Sequence, residues 1–307
     1  MIAPTVSVVI PTYRHRDYVL ETLRSVFAQS FTDYEVIVVN DGSDDGTEEV
    51  LRPLATAGRI AYFEQSNSGQ AAARNHGLAR ARGEFIAFLD DDDLWPEDKL
   101  QWQTDVLRAQ TNIGIVGGNV AEVGCENPWL PQRTAICEPS LDDLYRGLTM
   151  TSPGQSLIRT QLLREYGGFD ERLAGADDYD MWLRLARVTK IEMHDRVALY
   201  YRRHPNQASR DMGKMMHMCL AAIEKNLFFS EPADRARQRR LGYRFAYNYA
   251  GTSVVTQTRR FIEEMNFREA MQRAWLLKPI AGAAIRDLKL AVKVTRDLIP
   301  KRFCLSR

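Results

Sequence analysis

Cysteine is scarce in this sequence, and long uninterrupted apolar runs are missing. The four cysteines show no Cys-X-X-Cys spacing, which favours reduced thiols in a cytoplasmic chain over a disulfide framework. No apolar run approaches the roughly 18 residues that a membrane-spanning helix needs. The first residues, MIAPTVSVVIP, enter a strand pattern without a basic segment or a cleavage site. We therefore expect no secretory signal and a cytoplasmic location.

Internal repeats, low-complexity tracts and a large net charge are also missing. The 307 residues are 45% hydrophobic and 26% charged, which is ordinary for one large domain or two domains. The net charge of +1 conceals an asymmetry, because residues 1–201 hold 19 basic and 31 acidic residues, whereas residues 202–307 hold 22 and 9. We infer an acidic part that attracts cations and a basic part that meets an anionic surface.

Strand and helix patterns alternate over the first 110 residues. Strand patterns occupy 6–10, 34–40, 60–64 and 84–89, and helical patterns occupy 18–29, 47–54, 69–81 and 96–109, the last with Pro96 at its first position. This alternation predicts a parallel, doubly wound sheet, in which ligands bind beyond the carboxyl ends of the strands. Three predicted strand ends carry polar groups, namely Thr12-Tyr13, Asp41 and the run Asp90 to Asp93.

The pattern loosens after residue 110. Short strands are predicted at 113–118, 156–158 and 197–201, and helices at 160–166 and 178–188, whereas everything after residue 211 reads as helical. The stretch 280–299 is amphipathic, with apolar residues on one side and four basic residues on the other. We expect two domains, 1–210 and 211–307.

Four blocks in a fixed order carry a family resemblance over roughly residues 4–210. They are VSVVIPTYRHRDYVLETLRSVFAQSFTDYEVIVVNDGSDDGT, NSGQAAARNHGLARARGEFIAFLDDDDLWPEDKL, GGFDERLAGADDYDMWLRL and YRRHPNQAS. With these blocks the chain resembles the family 2 glycosyltransferases of the GT-A fold. The resemblance implies an α/β fold with a Rossmann-like, mostly parallel sheet flanked by helices, here followed by a C-terminal helical extension. It also implies transfer of a sugar from a nucleotide-diphosphate donor to an acceptor hydroxyl, with inversion at the anomeric carbon.

The aspartate run matches the Asp-X-Asp motif of that family. Clustered carboxylates repel one another by about 3 kcal/mol per pair at ~5 Å and an effective dielectric of ~20, and a bound Mn²⁺ or Mg²⁺ relieves this repulsion. The resemblance assigns Asp92 to the metal and Asp90 to the ribose or the metal. Asp91 is the variable middle residue beside the donor, and we expect its side chain to point away. For Asp93 we favour a cap on the next helix.

The remaining donor-binding residues are also implied by the resemblance. Asp41 is expected to accept a hydrogen bond from the base of a uridine nucleotide, although Asp-Gly-Ser is also a common turn sequence. Beside it lie Pro11, Thr12 and Tyr13, the last offering a ring face to the base. Arg74 is expected near the ribose, phosphate or sugar, with Asn67 and Gln70 as weaker candidates, although an arginine on a helix is usually solvated.

Asp178 matches the catalytic base of the family, which takes the proton from the acceptor hydroxyl. Asp177 replaces the usual Glu of that motif and is expected to orient the acceptor. The simpler alternative is a helix cap followed by a first-turn acid. His204 is implied near the diphosphate or the metal, and its neighbours Arg202 and Arg203 are candidates for pairing with the pyrophosphate.

Two other functions compete with this hypothesis. A sugar nucleotidyltransferase needs a glycine-rich phosphate loop after the first strand, which PTYRH is not. A non-catalytic nucleotide-binding scaffold is disfavoured because Asp41, Asp92 and Asp178 are all present. The expected partners are a nucleotide-sugar donor and a glycan or lipid-linked acceptor, without nucleic acid. Stretch 280–299 either lies on the cytoplasmic membrane face or packs against the protein body or a second protomer of a homodimer.

Overall fold

The computed structural model describes residues 3–124, 135–147, 150–204, 211–263, 267–284 and 294. The chain divides into two compact units, and the first comprises Met1–Leu141 and Thr149–Pro205. The second unit comprises Asp142–Leu148 and Asn206–Arg307. The predicted domain boundary at residue 210 stays a prediction.

A single mixed sheet organises the first unit. In the part of the chain that the structure describes, seven strands pair in the order β3-β2-β1-β4-β6-β5-β7. Their bounds are β1 (Val6–Thr12), β2 (Tyr34–Asn40), β3 (Ala61–Glu64), β4 (Phe85–Phe88), β5 (Ile113–Val123), β6 (Ser156–Arg159) and β7 (Lys190–Arg202). Strand β6 runs antiparallel to β4 and β5, and the other pairs are parallel. The mostly parallel α/β sheet that the sequence predicts is therefore confirmed.

Helices flank this sheet and make up the second unit. The helices before residue 206 are α1 (Arg16–Phe27), α2 (Thr47–Thr56), α3 (Gln70–Arg80), α4 (Lys99–Ala109), α5 (Leu141–Tyr145), α6 (Thr160–Tyr166) and α7 (Asp177–Leu185). After them come α8 (Met212–Leu227), α9 (Pro232–Ala246), α10 (Thr252–Glu263), α11 (Phe267–Trp275) and α12 (Lys278–Ala284). One π-helical turn joins α9 to α10. The helical C-terminal region is confirmed over the described residues.

The core lies around the central strands, because β1 and β4 are covered on both faces. Every residue of both strands is buried, which explains why they read as continuous apolar runs and not as alternating patterns. Helix α1 covers one face with Val19, Leu23 and Val26, which recur at helical spacing and are at most 1% exposed.

Helix α3 lies unusually close to β1 because Gly77 has no side chain. A Cβ atom at this position would lie 2.3 Å from Cγ1 of Val9, far inside van der Waals contact. This close approach brings Arg74, one turn earlier on α3, next to the carboxyl edge of the sheet.

Several element bounds differ from the sequence prediction; β5, for example, extends to Val123, five residues beyond its predicted end. Two of the differences have an evident physical reason. Helix α4 begins at Lys99 and not at Pro96, because the carbonyl of Pro96 closes a turn with the Lys99 amide and also accepts from Gln29. Strand β7 begins seven residues before its prediction. Its apolar pattern is interrupted by Glu192 and His194, which are both buried and whose Oε1 and Nε2 atoms lie 2.7 Å apart. Because both residues are polar, the first half of the strand does not look like a buried strand in the sequence.

Several sequence predictions lie outside the described residues. They concern residues 285–293 and 295–299 of the basic stretch 280–299, and residues 205–209 of the block YRRHPNQAS. Among the residues that the structure describes, no helix combines the length and the apolar character that crossing a membrane requires.

Candidate active site

The parallel strands β1, β2 and β4 end at one edge of the sheet. Thr12 pairs with Asn40 at the end of β1 and β2, and the Asp41 amide donates to the Thr12 carbonyl at 2.9 Å. On the other side of β1, the Leu89 amide donates to the Val9 carbonyl at 3.0 Å, just before the aspartate run. The three predicted groups of polar residues therefore leave the sheet at the same edge.

The aspartate run folds into a tight loop whose backbone is held from α1. The Asp93 amide donates to the Asp90 carbonyl at 3.1 Å, and the Thr22 hydroxyl lies 2.9 Å and 2.8 Å from the carbonyls of Asp91 and Asp93. The Asp91 carboxylate accepts from the Tyr13 amide at 3.1 Å and contacts Nδ1 of His15 at 2.8 Å. The prediction that Asp91 points away is wrong, because this buried carboxylate lies beside Asp92 and ties the aspartate loop to the end of β1.

Asp93 does not cap helix α4, so that prediction is also wrong. The residue at the N-cap position is Asp98. Asp93 is 0% exposed and accepts from the Arg202 amide at 2.9 Å. Its Oδ2 atom has no hydrogen-bond partner among the described residues. Burial and the neighbouring Asp92 charge raise the pKa of Asp93 well above its usual range.

The end of β7 is hydrogen-bonded to the segment that follows the aspartate loop, and this places His204 beside the loop. The backbones of Leu94 and Tyr200 exchange hydrogen bonds of 3.1 Å and 2.9 Å. Two residues beyond β7, Nε2 of His204 lies 2.9 Å from Oδ2 of Asp92. The structure thus brings together the two residues predicted as metal ligands, although they are 112 positions apart.

The two arginines beside His204 bind protein groups. Arg202 donates to the Asp92 carbonyl at 2.8 Å and to the Glu21 carboxylate at 2.6 Å. Arg203 pairs with Glu122 through Nε at 2.8 Å. These contacts attach β7 to α1 and β5, and pairing with a pyrophosphate stays a prediction.

His15 belongs to this cluster, and sequence reasoning missed it as a functional residue. Candidate ligand atoms of His15, Asp91 and Asp92 all lie within 4.8 Å of one another, and the rings of His15 and His204 are 5.5 Å apart. The hydrogen bond that the His15 ring donates to the Asp91 carboxylate raises the pKa of His15. The signal that could have found it is a histidine three residues beyond the end of a strand that leads into the site.

The residues at the aspartate loop fit a divalent cation. Burial and the charges of Asp90 and Asp91 raise the pKa of Asp92, so its carboxylate is destabilised in the charged form. A bound cation reverses this effect, and carboxylates with imidazoles are a donor set that Mn²⁺ accepts. Mg²⁺ is accommodated through the carboxylates.

Asp41 anchors the loop between β3 and α3. Its carboxylate accepts three hydrogen bonds of 2.8 Å, from the Gln65 side chain and from the amides of Ser68 and Gly69. Gly42, with φ +76°, packs against the Asn67 backbone, where a Cβ atom would lie 3.0 Å from the amide nitrogen. Asp41 therefore has a structural role in holding this loop. A contact between Asp41 and the base of a nucleotide stays a prediction.

The other residues that are predicted to bind the nucleotide sugar differ in their exposure to solvent. Pro11 lies buried within β1, and the buried hydroxyl of Thr12 has no partner among the described residues. Tyr13 is 38% exposed and Asn67 is exposed, so both are accessible at the edge. Gln70 donates to Asp90 at 2.9 Å.

Arg74 joins two parts of the site that are far apart in sequence. Its side chain is 3% exposed, and its two terminal nitrogens donate to Asp90 at 2.6 Å and to Asp177 at 2.7 Å. Its guanidinium also lies over the Phe169 ring at 5.1 Å. Since one guanidinium binds both carboxylates, the start of α7 lies directly beside the aspartate loop. A contact between Arg74 and the donor stays a prediction.

The paired aspartates at the start of α7 have different environments. Asp177 is 3% exposed and accepts from Arg74, whereas Asp178 is partly exposed and accepts from the Tyr179 amide at 2.7 Å. Removal from water and the Asp177 charge raise the pKa of Asp178 to about 7, against an opposing effect of Arg74. A carboxyl group with this pKa is suited to exchange protons at neutral pH.

The fold and this edge together define a glycosyltransferase of the GT-A type, with a carboxylate-rich loop beside a second carboxylate pair. The chain belongs to glycosyl transferase family 2, whose family model matches residues 7–167, just over half of the chain.

Curated relatives carry glycosyltransferase names. An uncharacterized glycosyltransferase of Rickettsia bellii is 29% identical over 297 residues, covering 94% of this chain and 41% of the relative. TuaG of Bacillus subtilis, a putative teichuronic acid biosynthesis glycosyltransferase, is 44% identical over 107 residues, covering 34% of this chain and 42% of the relative. The chain thus spans less than half the length of these relatives.

Solved structures share the fold. S. aureus TarS 1-349 in complex with UDP-GlcNAc has a TM-score of 0.72 at 18% identity, covering 96% of this chain and 89% of that chain. The mannosyltransferase PcManGT of Pyrobaculum calidifontis, in complex with GDP-Man and Mn²⁺, has a TM-score of 0.60 at 21% identity, covering 97% and 85%.

Proposed function

We propose that this protein is an inverting, cation-dependent glycosyltransferase that moves a sugar from a UDP-linked donor to an acceptor hydroxyl. The observation that carries the proposal is the Arg74 bridge. It holds Asp90 of the aspartate loop and Asp177 of α7 on one guanidinium, at 2.6 Å and 2.7 Å. A cation-binding group and the candidate base Asp178 therefore occupy the same edge of the sheet.

Donor binding is assigned to the ends of β1 and β2. The exposed Tyr13 ring offers a stacking face for a base. Three hydrogen bonds from neighbouring protein groups already position the Asp41 carboxylate. Its oxygens can still accept a further hydrogen bond from a uracil. A UDP-linked donor is further supported by the UDP-GlcNAc complex of TarS, a protein of the same fold.

Asp92 and His204 would hold the cation, with Asp90 near the ribose or the metal. When bound, Mn²⁺ or Mg²⁺ neutralises negative charge on the departing nucleotide diphosphate. The chain itself contributes rigidity, because the Asp92 carbonyl and the Asp93 carboxylate are both bonded to Arg202. The mutual repulsion of the aspartates favours cation binding.

Asp178 performs the proton transfer. Its carboxylate takes the proton of the acceptor hydroxyl while that oxygen attacks the anomeric carbon. The new carbon–oxygen bond forms as the bond from the anomeric carbon to the diphosphate breaks, and the electron pair of the broken bond leaves with the nucleotide. Attack from the side opposite the leaving group inverts the anomeric centre. Asp177, fixed by Arg74, orients Asp178 and the acceptor.

The acceptor is assigned to a surface polysaccharide or a lipid-linked glycan. Support comes from the 44% identity to TuaG over 107 residues, since that protein carries a teichuronic acid name. This assignment also suits the predicted cytoplasmic location near a membrane-bound acceptor.

The proposal is tested with purified full-length protein, Mn²⁺ and a panel of UDP-sugars. We expect slow release of UDP from at least one donor, because water replaces the acceptor in glycosyltransferases. Asp178→Asn should retain donor binding by calorimetry and lose more than a hundredfold in UDP release, a typical contribution of a general base. Asp105→Asn, an exposed aspartate on α4, is the matched control and should behave as the parent. Donor binding without turnover by any donor would favour the scaffold alternative, and turnover of Asp178→Asn at the parent rate would refute the base assignment.

A further inference from the structure

His15 lies in the cation cluster although the family motif gives it no role. We propose that His15 is a cation ligand beside Asp92 and His204, and that Asp91 holds it in place. A site with two imidazoles would select a transition-metal ion such as Mn²⁺ or Co²⁺ over Mg²⁺. The inference rests on the proposed function of the Asp92–His204 pair.

The distances in the cluster agree with a shared ion. Nδ1 of His15 is 2.8 Å from Oδ1 of Asp91, and Nε2 of His204 is 2.9 Å from Oδ2 of Asp92. Candidate ligand atoms of His15, Asp91 and Asp92 all lie within 4.8 Å of one another. A cation with bonds of about 2.1 Å separates neighbouring octahedral ligands by about 3 Å and opposite ligands by about 4.2 Å. Small side-chain movements would therefore place the two imidazoles and the Asp92 carboxylate around one ion, with Asp91 bonded to Nδ1 of His15.

Folding of the β1–α1 turn does not explain the position of His15. Asp91 already secures this turn by accepting from the Tyr13 amide at 3.1 Å. His15 occupies the N-cap position of α1, yet its side chain makes no capping hydrogen bond. Its ring packs near Tyr18 and His204, at centroid distances of 5.7 Å and 5.5 Å, so the two imidazoles are neighbours in the cluster.

The ligand chemistry determines which ions should bind. Carboxylates suit Mg²⁺ and Mn²⁺ alike, whereas imidazole favours the later first-row ions, whose affinities rise from Mn²⁺ to Co²⁺ and beyond. A metal-ligating histidine commonly bonds a carboxylate through its other nitrogen, and Asp91 is available for that role. Loss of His15 should therefore weaken Co²⁺ and Mn²⁺ binding more than Mg²⁺ binding.

The test measures metal binding by the full chain without any donor. Calorimetry with Co²⁺, Mn²⁺ and Mg²⁺ should show that His15→Gln lowers the Co²⁺ and Mn²⁺ affinities at least tenfold and the Mg²⁺ affinity less than threefold. His204→Gln should show a similar loss, and His217→Gln, on α8 of the second unit, should bind every ion as the parent does. Electron spin-echo spectra of bound Mn²⁺ should show nitrogen couplings from two imidazoles in the parent and from one in His15→Gln.

Two further measurements distinguish a metal ligand from a residue that only supports the fold. The metal-free melting temperature of His15→Gln shows whether the variant is folded, and Asp91→Asn, which keeps an acceptor for the Tyr13 amide, should show a smaller loss of Co²⁺ affinity. Unchanged affinities and nitrogen couplings in folded His15→Gln would overturn the inference even if the enzyme transfers sugar. A His15-dependent Co²⁺ affinity in a protein that transfers no sugar would keep the inference and refute the proposed function.

Discussion

At the scale of single residues, Arg74 makes two adjacent aspartates chemically different. It pairs with Asp177 at 2.7 Å, which also accepts from the Gly175 amide. Asp178 accepts from the Tyr179 amide and carries the raised pKa. A carboxyl group whose surroundings raise its pKa towards neutrality is typical of acid–base sites. Asp178 is therefore suited to act as the base and Asp177 to orient it.

The pKa of Asp178 predicts how transfer depends on pH. Because the base must be deprotonated, we expect the rate at saturating donor and Mn²⁺ to rise with pH and reach half of its maximum near pH 7. Asp177→Asn removes the charge that raises this pKa, so its half-maximum should move to lower pH. Donor binding measured over the same range controls for loss of the cation. A rate that stays constant as the pH is raised through about 7 would contradict the assignment.

The Asp178 carboxyl group should also lower the stability of the folded protein at high pH. Its folded-state pKa is about 7 against an unfolded value of 3.8, so the folded protein keeps a proton that the unfolded chain has lost. The free energy of unfolding therefore falls as the pH rises from 3.8 to about 7. Asp178→Asn should be more stable than the parent at about pH 8, on the order of 1–2 kcal/mol, and equal to it near pH 3.

Thermal melts at both pH values measure this difference. Asp105→Asn is the control, because its exposed carboxylate should give the same melting temperature as the parent at each pH. A lower melting temperature of Asp178→Asn at the alkaline pH would show that the charged carboxylate stabilises the fold.

Residue contacts were predictable from the sequence only where a family motif pairs distant positions. The motif paired Asp92 with His204, and the structure brings them together. It gave no indication that Asp93 binds the Arg202 amide, 109 positions away, or that Asp91 turns inward to His15. Such contacts depend on the course of β7 and of the β1–α1 turn, which local sequence does not determine.

At the scale of elements, α3 connects the aspartate loop to α7. Arg74 binds Asp90 and Asp177, and the adjacent Asn75 exchanges hydrogen bonds of 2.8 Å with the backbone of Phe169. Gly77 holds the same helix against β1. The helix thereby fixes α7, and with it Asp178, relative to the sheet.

Arg74→Lys should impair this connection while keeping the charge. A lysine cannot bind both carboxylates with the planar fork of arginine, so we expect a lower kcat, by at least tenfold, with a smaller change in KM for the donor. Arg74→Ala removes the cation that pairs with the buried Asp177 and the partly buried Asp90, and should cost about 3–5 kcal/mol of stability. Arg80→Lys, exposed on the same helix, is the control. Parent kcat in Arg74→Lys would exclude a positioning role.

Most elements of the first unit could be predicted from sequence periodicity. Helix α6 was predicted with its observed bounds, and β1, β2 and α3 within two residues at each end. Strand β7 was predicted too short, because Glu192 and His194 are buried as a pair and resemble surface residues in the sequence. Periodicity detects burial through apolar side chains and misses polar pairs that satisfy each other.

At the scale of the whole molecule, the charge asymmetry of the sequence points to an anionic surface. Residues 202–307 hold 22 basic and 9 acidic residues. From this sequence pattern we propose that the stretch 280–299 contacts anionic membrane. Each basic residue near such a surface contributes about 1 kcal/mol. A membrane contact would keep a lipid-linked acceptor near the site.

Vesicle co-sedimentation checks this proposal. Full-length protein should pellet with anionic vesicles at low salt and much less at high salt. A variant in which four basic residues are changed to Glu should stay in solution: Arg286, Lys289, Lys293 and Arg296. Equal pelleting of variant and parent would show that this stretch is not the contact.

The central claim is that the cation and the donor diphosphate bind at the aspartate loop, beside α7. A crystal structure with Mn²⁺ and UDP tests it most directly, because the anomalous signal of manganese locates the ion independently. We predict a manganese peak between Asp92 and His204, with the pyrophosphate bound to the ion and the base near Tyr13 and Asp41. An ion or a pyrophosphate located elsewhere in the protein would contradict the account.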